Sequence, residues 1–243
     1  MLDDGDGGGL QRRVMLPLAA GALGLAALAA PLAARPDLGP FFALRAELFY
    51  IGIATLVLFG LPAHAPHRRF GPANGVTLAR AVLICLLAAR MGTALPDPSG
   101  LWLVAGLAAV ALALDGVDGW AARYSGFASR FGARFDMEAD AFFVLVLSVL
   151  AWQWDRVGPW VLLIGAMRYL SWGAGKAWPW LAAPVPDSFA RKAVCVIQIL
   201  VLIACLLPPV TPSVATPMAA VALALLAWSF GRDIGWLWRR RTA

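Results

Sequence analysis

Four aspartates lie between two strongly apolar stretches of the chain, at Asp115, Asp118, Asp136 and Asp140. The first two are three residues apart and the last two are four apart, so on helices each pair projects from a single face. Carboxylates beside apolar segments are costly unless they are compensated, and for that reason they are usually functional. If the segment between the two pairs folds back, all four carboxylates converge on one site.

Such a site needs positive charge, because close carboxylates in a low dielectric raise one another's pKa values. Divalent cations supply that charge, and oxygen-only ligands select Mg2+ or Mn2+ over zinc, which prefers His or Cys. A site of this kind usually binds substrate phosphates through its metal. Gly119 and Gly132 leave room for a phosphate to approach, and the planar guanidinium of Arg123 matches phosphate oxygens.

The alternative interpretation of these acids is a solvated loop between helices, in which Asp115 or Asp136 only caps a helix. The presence of all four aspartates in register with two glycines and an arginine argues against it. Glu138 lies two residues from Asp136 and points to another helix face, so we expect a structural role for it.

The spacing of these residues resembles the signature of a known family. From Asp115 to Asp140 the chain reads D-x2-D-G-x2-A-R-x8-G-x3-D-x3-D, with every specified position present. This pattern is similar to the signature of the CDP-alcohol phosphotransferases, also called CDP-alcohol phosphatidyltransferases. The direct resemblance covers this segment, and weaker similarity extends over about residues 70 to 232.

The resemblance implies a metal-dependent membrane enzyme of phospholipid biosynthesis. It would move a phosphatidyl, or substituted phosphate, group from a CDP-linked lipid, expected to be CDP-diacylglycerol, to the hydroxyl of an alcohol, and release CMP. Two Mg2+ or Mn2+ ions would be held by Asp115, Asp118, Asp136 and Asp140. Asp140 would also accept the proton of the acceptor hydroxyl. The CDP portion would be bound by Asp115, Gly119, Ala122, Arg123, Gly132, Asn74 and Thr77.

The last two of these residues belong to a polar stripe upstream. Asn74, Thr77 and Arg80 recur at three-residue spacing at the start of the third apolar segment. In the family the corresponding helix begins with a similar Pro-Asn-x-x-Thr-x-x-Arg pattern and helps form the nucleotide pocket. Here Ala73 separates Pro72 from Asn74. The alternative is that Asn74 caps the helix while Arg80 snorkels towards a lipid phosphate.

Basic residues are the candidates for binding the phosphate of the acceptor or of the lipid: Arg80, Arg134, Arg168, Arg191 and Lys192. Arg168 stands inside an apolar segment, where family members often carry a basic residue that helps shape the acceptor site. Some phosphatidylglycerophosphate synthases carry Lys-x-Lys-Thr-x-x-Gln at the position of Lys192. This chain keeps Lys192 and Gln198 but has valine and cysteine at the second Lys and the Thr. The departure argues mildly against glycerol 3-phosphate, and no residues single out another acceptor.

Composition defines the elements that must position these groups. The chain has 243 residues, of which 61% are hydrophobic, and a mean hydropathy of +0.75. These values are typical of a polytopic membrane protein and exceed those of soluble domains. Eight segments approach the roughly 20 residues that cross a bilayer. They are predicted at residues 14–34, 42–63, 74–95, 99–116, 136–154, 157–173, 191–208 and 213–231.

The sequence therefore predicts an all-α transmembrane bundle of about eight spans. Residues 1–13 form a disordered tail, 14–66 two additional N-terminal helices, 67–232 a six-helix catalytic core, and 233–243 a basic tail. The first apolar segment is longer than the 7 to 15 residues of a signal-peptide core, so we expect a retained helix. Arginines and lysines fall mainly on one side, which places both termini and the aspartates on the cytoplasmic side of the cell (inner) membrane.

The formal net charge of +6 does not indicate nucleic-acid binding. The basic residues flank apolar segments and are not gathered on a soluble face, so contact with anionic membrane lipids explains them better. The expected partners are the CDP-linked lipid donor and a small alcohol acceptor. The two additional helices could support a homodimer or mark a subfamily.

Two other classes of membrane protein use buried acids. A prenyltransferase binds a prenyl diphosphate with Mg2+ and Asp-rich segments, but typically through two separate acidic motifs, whereas these acids cluster within 26 residues. A non-catalytic, ion-coupled transporter could line an ion path with carboxylates. That class leaves the two glycines and Arg123 unexplained.

Overall fold

The computed structural model describes residues 7–35, 37–61, 70–125, 129–186 and 188–241, with the side chains of 7–12, 118–125 and 241 excepted. Over these ranges the chain is all-helical and contains no strand, which confirms the predicted fold class. The eight α-helices are α1 (Gly7–Ala33), α2 (Phe42–Gly60), α3 (Pro72–Ala88), α4 (Pro98–Ser125), α5 (Arg130–Gln153), α6 (Leu162–Ala177), α7 (Phe189–Leu206) and α8 (Pro212–Arg241). Two short 3-10 helices, Pro159–Val161 and Pro179–Ala182, flank α6.

Five of these helices are long and apolar enough to cross a membrane: α1, α2, α4, α7 and α8. On α1 and α2, apolar side chains such as Leu16 and Phe59 are 75% and 82% exposed. Exposed rows of large apolar groups are unfavourable in water and are expected against lipid, where a helix satisfies its own backbone hydrogen bonds. The protein is therefore a multi-pass membrane protein.

Several boundaries differ from the sequence prediction. α1 begins at Gly7, within the predicted disordered tail 1–13, α5 begins at Arg130 instead of residue 136, and α8 continues to Arg241, through most of the predicted tail 233–243. The ends of α3 and α4 also differ. α3 ends at Ala88, earlier than the predicted residue 95, and turns follow it in which Gly92 has a φ of 77°. The C-cap Ala89 is still right-handed, and the turns after it end at the left-handed Gly92, a conformation that glycine adopts without steric cost. α4 continues to Ser125, beyond the predicted end at residue 116, so Asp115 and Asp118 both belong to this helix.

The chain forms two compact units, the first reaching Phe143 and the second beginning at Val144. In the first unit α3 packs against α1, α2 and α4. Its core joins side chains of α1, α2 and α3, such as Leu25, Tyr50 and Val82, to Phe131 and Phe135 near the start of α5. α3 is thus the central helix of the unit that contains all four aspartates.

The second unit contains the end of α5 together with α6, α7 and α8. α7 packs along α8, and the buried amide of Gln198 donates a hydrogen bond of 2.8 Å to the carbonyl of Ala222. Arg156 donates from Nε to the carbonyl of Cys205 and from Nη2 to those of Leu207 and Val210, at 2.6–3.0 Å. These bonds tie Arg156 to carbonyl groups at the C-terminal end of α7 and in the turn that follows it.

Candidate active site

The polar stripe predicted on α3 is buried. Asn74, Thr77 and Arg80 are 4%, 3% and 0% exposed. Asn74 does not cap the helix, because α3 begins two residues earlier, at Pro72, after Gly71 with a φ of 81°. Its Nδ2 donates to the carbonyl of Phe70 instead. The stripe therefore faces the protein interior, as expected for residues that line a site.

Arg80, the most buried residue of this stripe, places its positive charge beside three of the aspartates. Arg80 Nη1 donates to Oδ1 of Asp115, and Nη2 lies 2.5 Å from Oδ1 of Asp136 and 3.3 Å from Oδ1 of Asp140. The guanidinium is fully buried, whereas the three carboxylates are 26%, 40% and 36% exposed. One side of the acidic site is thus closed by an arginine, and the other side remains accessible.

Three of the four predicted carboxylates converge. Oxygen atoms of Asp115, Asp136 and Asp140 all lie within 4.8 Å of one another. Three carboxylates (−3) and one guanidinium (+1) leave a formal charge of −2, which a single divalent cation would neutralise. The donor atoms are all oxygens at partly accessible positions, so the cluster fits a hard ion such as Mg2+ or Mn2+. Glu138 is not among the residues of this cluster.

Three helices hold the cluster in place. α4 supplies Asp115, and α5 supplies Asp136 and Asp140, which are one turn apart on the same face. Gly132, one turn before Asp136, permits a close approach between α3 and α5. A Cβ atom at Gly132 would lie 2.7 Å from Oδ1 of Asn74, so a larger residue would displace the Asn74 side chain from its place between the two helices.

For several of the predicted site residues, the structure describes the backbone but not the side chain. Asp118, Gly119, Ala122 and Arg123 lie within α4, but their side chains are outside the described residues. Arg134 is exposed near the start of α5. The roles assigned to these residues stay predictions.

The other candidate phosphate-binding residues belong to the second unit. Arg168 is half-buried on α6, and Lys192 is exposed on α7. Arg191 is already engaged, because Nη1 lies 3.0 Å from Oδ2 of Asp233 and Nη2 donates to the carbonyl of Pro186 at 2.7 Å. The salt bridge to Asp233 ties α7 to α8, so Arg191 has a structural partner whether or not it also meets a phosphate.

Sequence reasoning did not identify the partner of Arg80. It expected positive charge at the acids but assigned that charge to metal, and it assigned Arg80 to a phosphate. The available signal was the burial of the stripe, because an arginine inside an apolar segment usually pairs with a carboxylate. At Gly132 the sequence predicted the close approach of a phosphate, whereas in the structure the group that approaches Gly132 is the side chain of Asn74.

Comparison with known proteins agrees with this geometry. The family model described as CDP-alcohol phosphatidyltransferase matches residues 70–230, well over half of the 243 residues and the whole of the aspartate segment. No curated protein and no solved structure matches the chain. With its complete signature, its buried α3 stripe and its three converging carboxylates, the chain belongs to the CDP-alcohol phosphatidyltransferase family.

Proposed function

We propose that the protein transfers a phosphatidyl group from CDP-diacylglycerol to the hydroxyl of an alcohol acceptor and releases CMP. The observation that carries this proposal is the cluster of Asp115, Asp136 and Asp140 around Arg80, within the segment that matches the family. Membrane transferases of this family act on CDP-alcohols, and a diacylglycerol donor suits a site built from apolar helices. Its lipid tails would enter sideways between helices.

Asp115, Asp118, Asp136 and Asp140 would hold two ions, Mg2+ or Mn2+. Ions held by these carboxylates would supply positive charge that stabilises the negative charge developing on the leaving CMP. Arg80 keeps three of the carboxylates together from the buried side, so they remain close before any ligand arrives. Gly119 and Ala122 would leave space for the CDP portion, and Arg123 would bind its phosphate oxygens.

Asp140 would act as the general base. Its side chain is 36% exposed, so an incoming hydroxyl could reach it. As the acceptor oxygen forms its bond to the lipid-linked phosphorus, the proton of that hydroxyl moves to Asp140. The bond between this phosphorus and the oxygen of CMP breaks, and CMP leaves with its electron pair.

The remaining assignments depend on the same reaction. Asn74 and Thr77 would line the nucleotide pocket, and Arg134, Arg168, Arg191 and Lys192 are the candidates for binding the phosphate of the acceptor or lipid. The positive-inside rule would place the site on the cytoplasmic side of the cell membrane, where nucleotide-activated substrates occur. The alcohol itself remains open.

The test is release of CMP by the purified protein. We expect turnover of CDP-diacylglycerol with Mg2+ or Mn2+ and one alcohol from a panel that includes glycerol 3-phosphate, inositol phosphate and serine. Chelation should abolish it. Asp115→Asn should remove nearly all activity, whereas the matched change Glu138→Gln, on a residue outside the cluster, should leave activity close to normal.

The two other classes predict different results. A prenyltransferase would consume a prenyl diphosphate and would be inhibited by it in competition with the CDP-linked lipid. A transporter would move substrate across vesicles without releasing CMP. Full activity after chelation would overturn the metal assignment, and failure to release CMP with every acceptor would overturn the proposed transfer.

A further inference from the structure

The helices α1 and α2 precede the residues that match the family, yet they form a closely packed pair with the core. The hydroxyl of Tyr50 on α2 is buried and donates to the carbonyl of Leu18 on α1 at 2.8 Å. Gly21 lies against the hydroxyl end of the Tyr50 side chain, where any Cβ atom would collide with the hydroxyl group. The two helices are therefore locked at a specific crossing, and we call them the N-terminal hairpin.

The loop of this hairpin is tied to the loop between α3 and α4. Arg35 lies 3.0 Å from both Asp37 and Asp97, and Arg90, which is 3% exposed, lies 2.8 Å from the second oxygen of Asp37. Hydrogen bonds from Ser99 and a backbone amide hold the pKa of the Asp97 carboxyl below its ordinary value. Charged partners from both loops thus fix the hairpin at one end of the core.

The other end of the hairpin meets α5. A Cβ atom at Gly60, the last residue of α2, would lie 2.9 Å from two ring carbons of Phe131. The Phe131 ring is 4% exposed and is confined between Phe70, at a centroid distance of 6.2 Å, and Phe135, stacked at 5.9 Å. It has little room to move away from α2. Nearer the start of α2, the Phe49 ring packs against the Phe142 ring, with 5.9 Å between the ring centroids.

These contacts enclose the part of α5 that carries the carboxylates. Phe131 lies five residues before Asp136, about 7.5 Å along the axis, and Phe135 directly precedes it. Phe142 follows Asp140 by two residues. Because α5 is a continuous hydrogen-bonded helix in a closely packed interior, a shift of α5 at Phe131 must move the carboxylates of Asp136 and Asp140. Misplacement by about 1 Å can cost about a hundredfold in rate.

We propose that the N-terminal hairpin is a positioning element of the active site, which sets the place of α5 through the contact between Gly60 and Phe131. The inference rests on the proposed function only in requiring that the carboxylates bind a divalent ion. Gly60 and Phe131 are positioning residues, since neither belongs to the carboxylate cluster.

The test uses two glycines of the same helix. Gly60→Ala introduces the collision with Phe131, whereas Gly52→Ala places its Cβ atom where nothing lies within 4 Å. Gly52 lies in the interior of α2 and Gly60 at its end, so the helix-propensity gain differs between the two changes and the deciding comparison is metal binding. The readout is binding of Mn2+ to the purified full-length protein, measured by the electron paramagnetic resonance of free Mn2+, together with the unfolding temperature.

We expect Gly60→Ala to weaken Mn2+ binding at least threefold and Gly52→Ala to leave it unchanged. Phe131→Leu, which removes the ring contact but keeps an apolar core, should weaken binding in the same direction and serves if Gly60→Ala does not fold. A lower unfolding temperature with unaltered Mn2+ affinity would show that the hairpin only adds stability and would overturn the inference. Absence of Mn2+ binding in the unsubstituted protein would instead contradict the proposed metal site.

Discussion

At the level of single residues, the main feature is the fully buried guanidinium of Arg80 among three half-exposed carboxylates. Replacing Arg80 by glutamine would make the formal charge of the group more negative, from −2 to −3. Removing one partner of a buried ion pair costs roughly 3–5 kcal/mol, and the exposure of these carboxylates places the loss towards the lower figure. We expect Arg80→Gln to lower the unfolding temperature in the presence of a chelator.

The same variant should respond more strongly to metal. With Arg80 absent, a divalent ion relieves more repulsion, so Mg2+ should raise the unfolding temperature of Arg80→Gln by more than it raises that of the unsubstituted protein. Arg134→Gln, which changes an exposed arginine, provides the control and should unfold like the parent. An Mg2+ response in Arg80→Gln no larger than in the parent would show that Arg80 is not the counter-charge.

A second prediction concerns Asp140, the proposed general base. Asp140→Asn keeps the size of the side chain but removes its ability to accept a proton, so turnover should fall by about 10²- to 10⁴-fold. The rate of CMP release under saturating donor and acceptor measures this effect, and Glu138→Gln on the same helix is the matched control. Near-normal turnover of Asp140→Asn with every alcohol would assign the proton to another group.

The sequence predicted much of this site because helical periodicity is local. Spacings of three and four residues place each aspartate pair on one face, and the structure brings Asp115, Asp136 and Asp140 together. The position of Arg80 depends on how α3 packs against α4 and α5, which no local spacing specifies. Contacts between distant segments, such as Asn74 with Gly132, are hidden from the sequence for the same reason.

At the level of the helices, close crossings depend on single glycines. Gly165 on α6 lies against α5, where a Cβ atom would be 2.6 Å from the Cα of Leu145 and 3.1 Å from Oγ of Ser148. A backbone atom cannot move aside as a flexible side chain can, so Gly165→Ala should destabilise the protein by about 1–3 kcal/mol. The measurement is the unfolding temperature in detergent.

Gly173 provides the comparison on the same helix. A Cβ atom there would have nothing within 4 Å, so Gly173→Ala should be neutral or should stabilise α6 by up to about 1 kcal/mol through helix propensity. Equal unfolding temperatures for the two variants would mean that α5 and α6 tolerate a wider separation at Gly165.

The number of helices was predictable, because long apolar segments are evident in the sequence. The residues at which the helices end were harder to predict. The hydrophobic pattern continues past Ala88, whereas α3 ends there and is followed by turns that end at Gly92. The polar signature of α4 ended the predicted span at residue 116, although the helix continues to Ser125. Hydropathy indicates which residues lie in the membrane, whereas backbone conformation determines where a helix ends. A predicted span and the helix that contains it can therefore have different boundaries.

At the level of the whole molecule, the number of membrane crossings decides where the site lies. Five helices meet the usual length and apolarity, and α3, with 17 residues or about 26 Å, is at the lower limit. If α3 did not cross, the loops at 34–41 and 89–97 would lie on opposite sides. The ion pairs of Arg35 with Asp97 and of Arg90 with Asp37 require them to lie together. α3 therefore has to cross the membrane, with its charged residue, Arg80, paired to carboxylates inside the protein.

This argument predicts the outcome of cysteine labelling in sealed vesicles of known orientation. Single cysteines at three exposed positions, Ala34, Ala94 and Arg130, would be introduced after replacement of Cys195, the exposed native cysteine. With eight crossings, an impermeant thiol reagent should label Ala34→Cys and Ala94→Cys from one side and Arg130→Cys from the other. With only the five long apolar helices α1, α2, α4, α7 and α8 crossing, Ala34→Cys and Arg130→Cys would share a side and Ala94→Cys would differ. Because Arg130 begins the helix of Asp136 and Asp140, its side also identifies the compartment that supplies the CDP-linked donor.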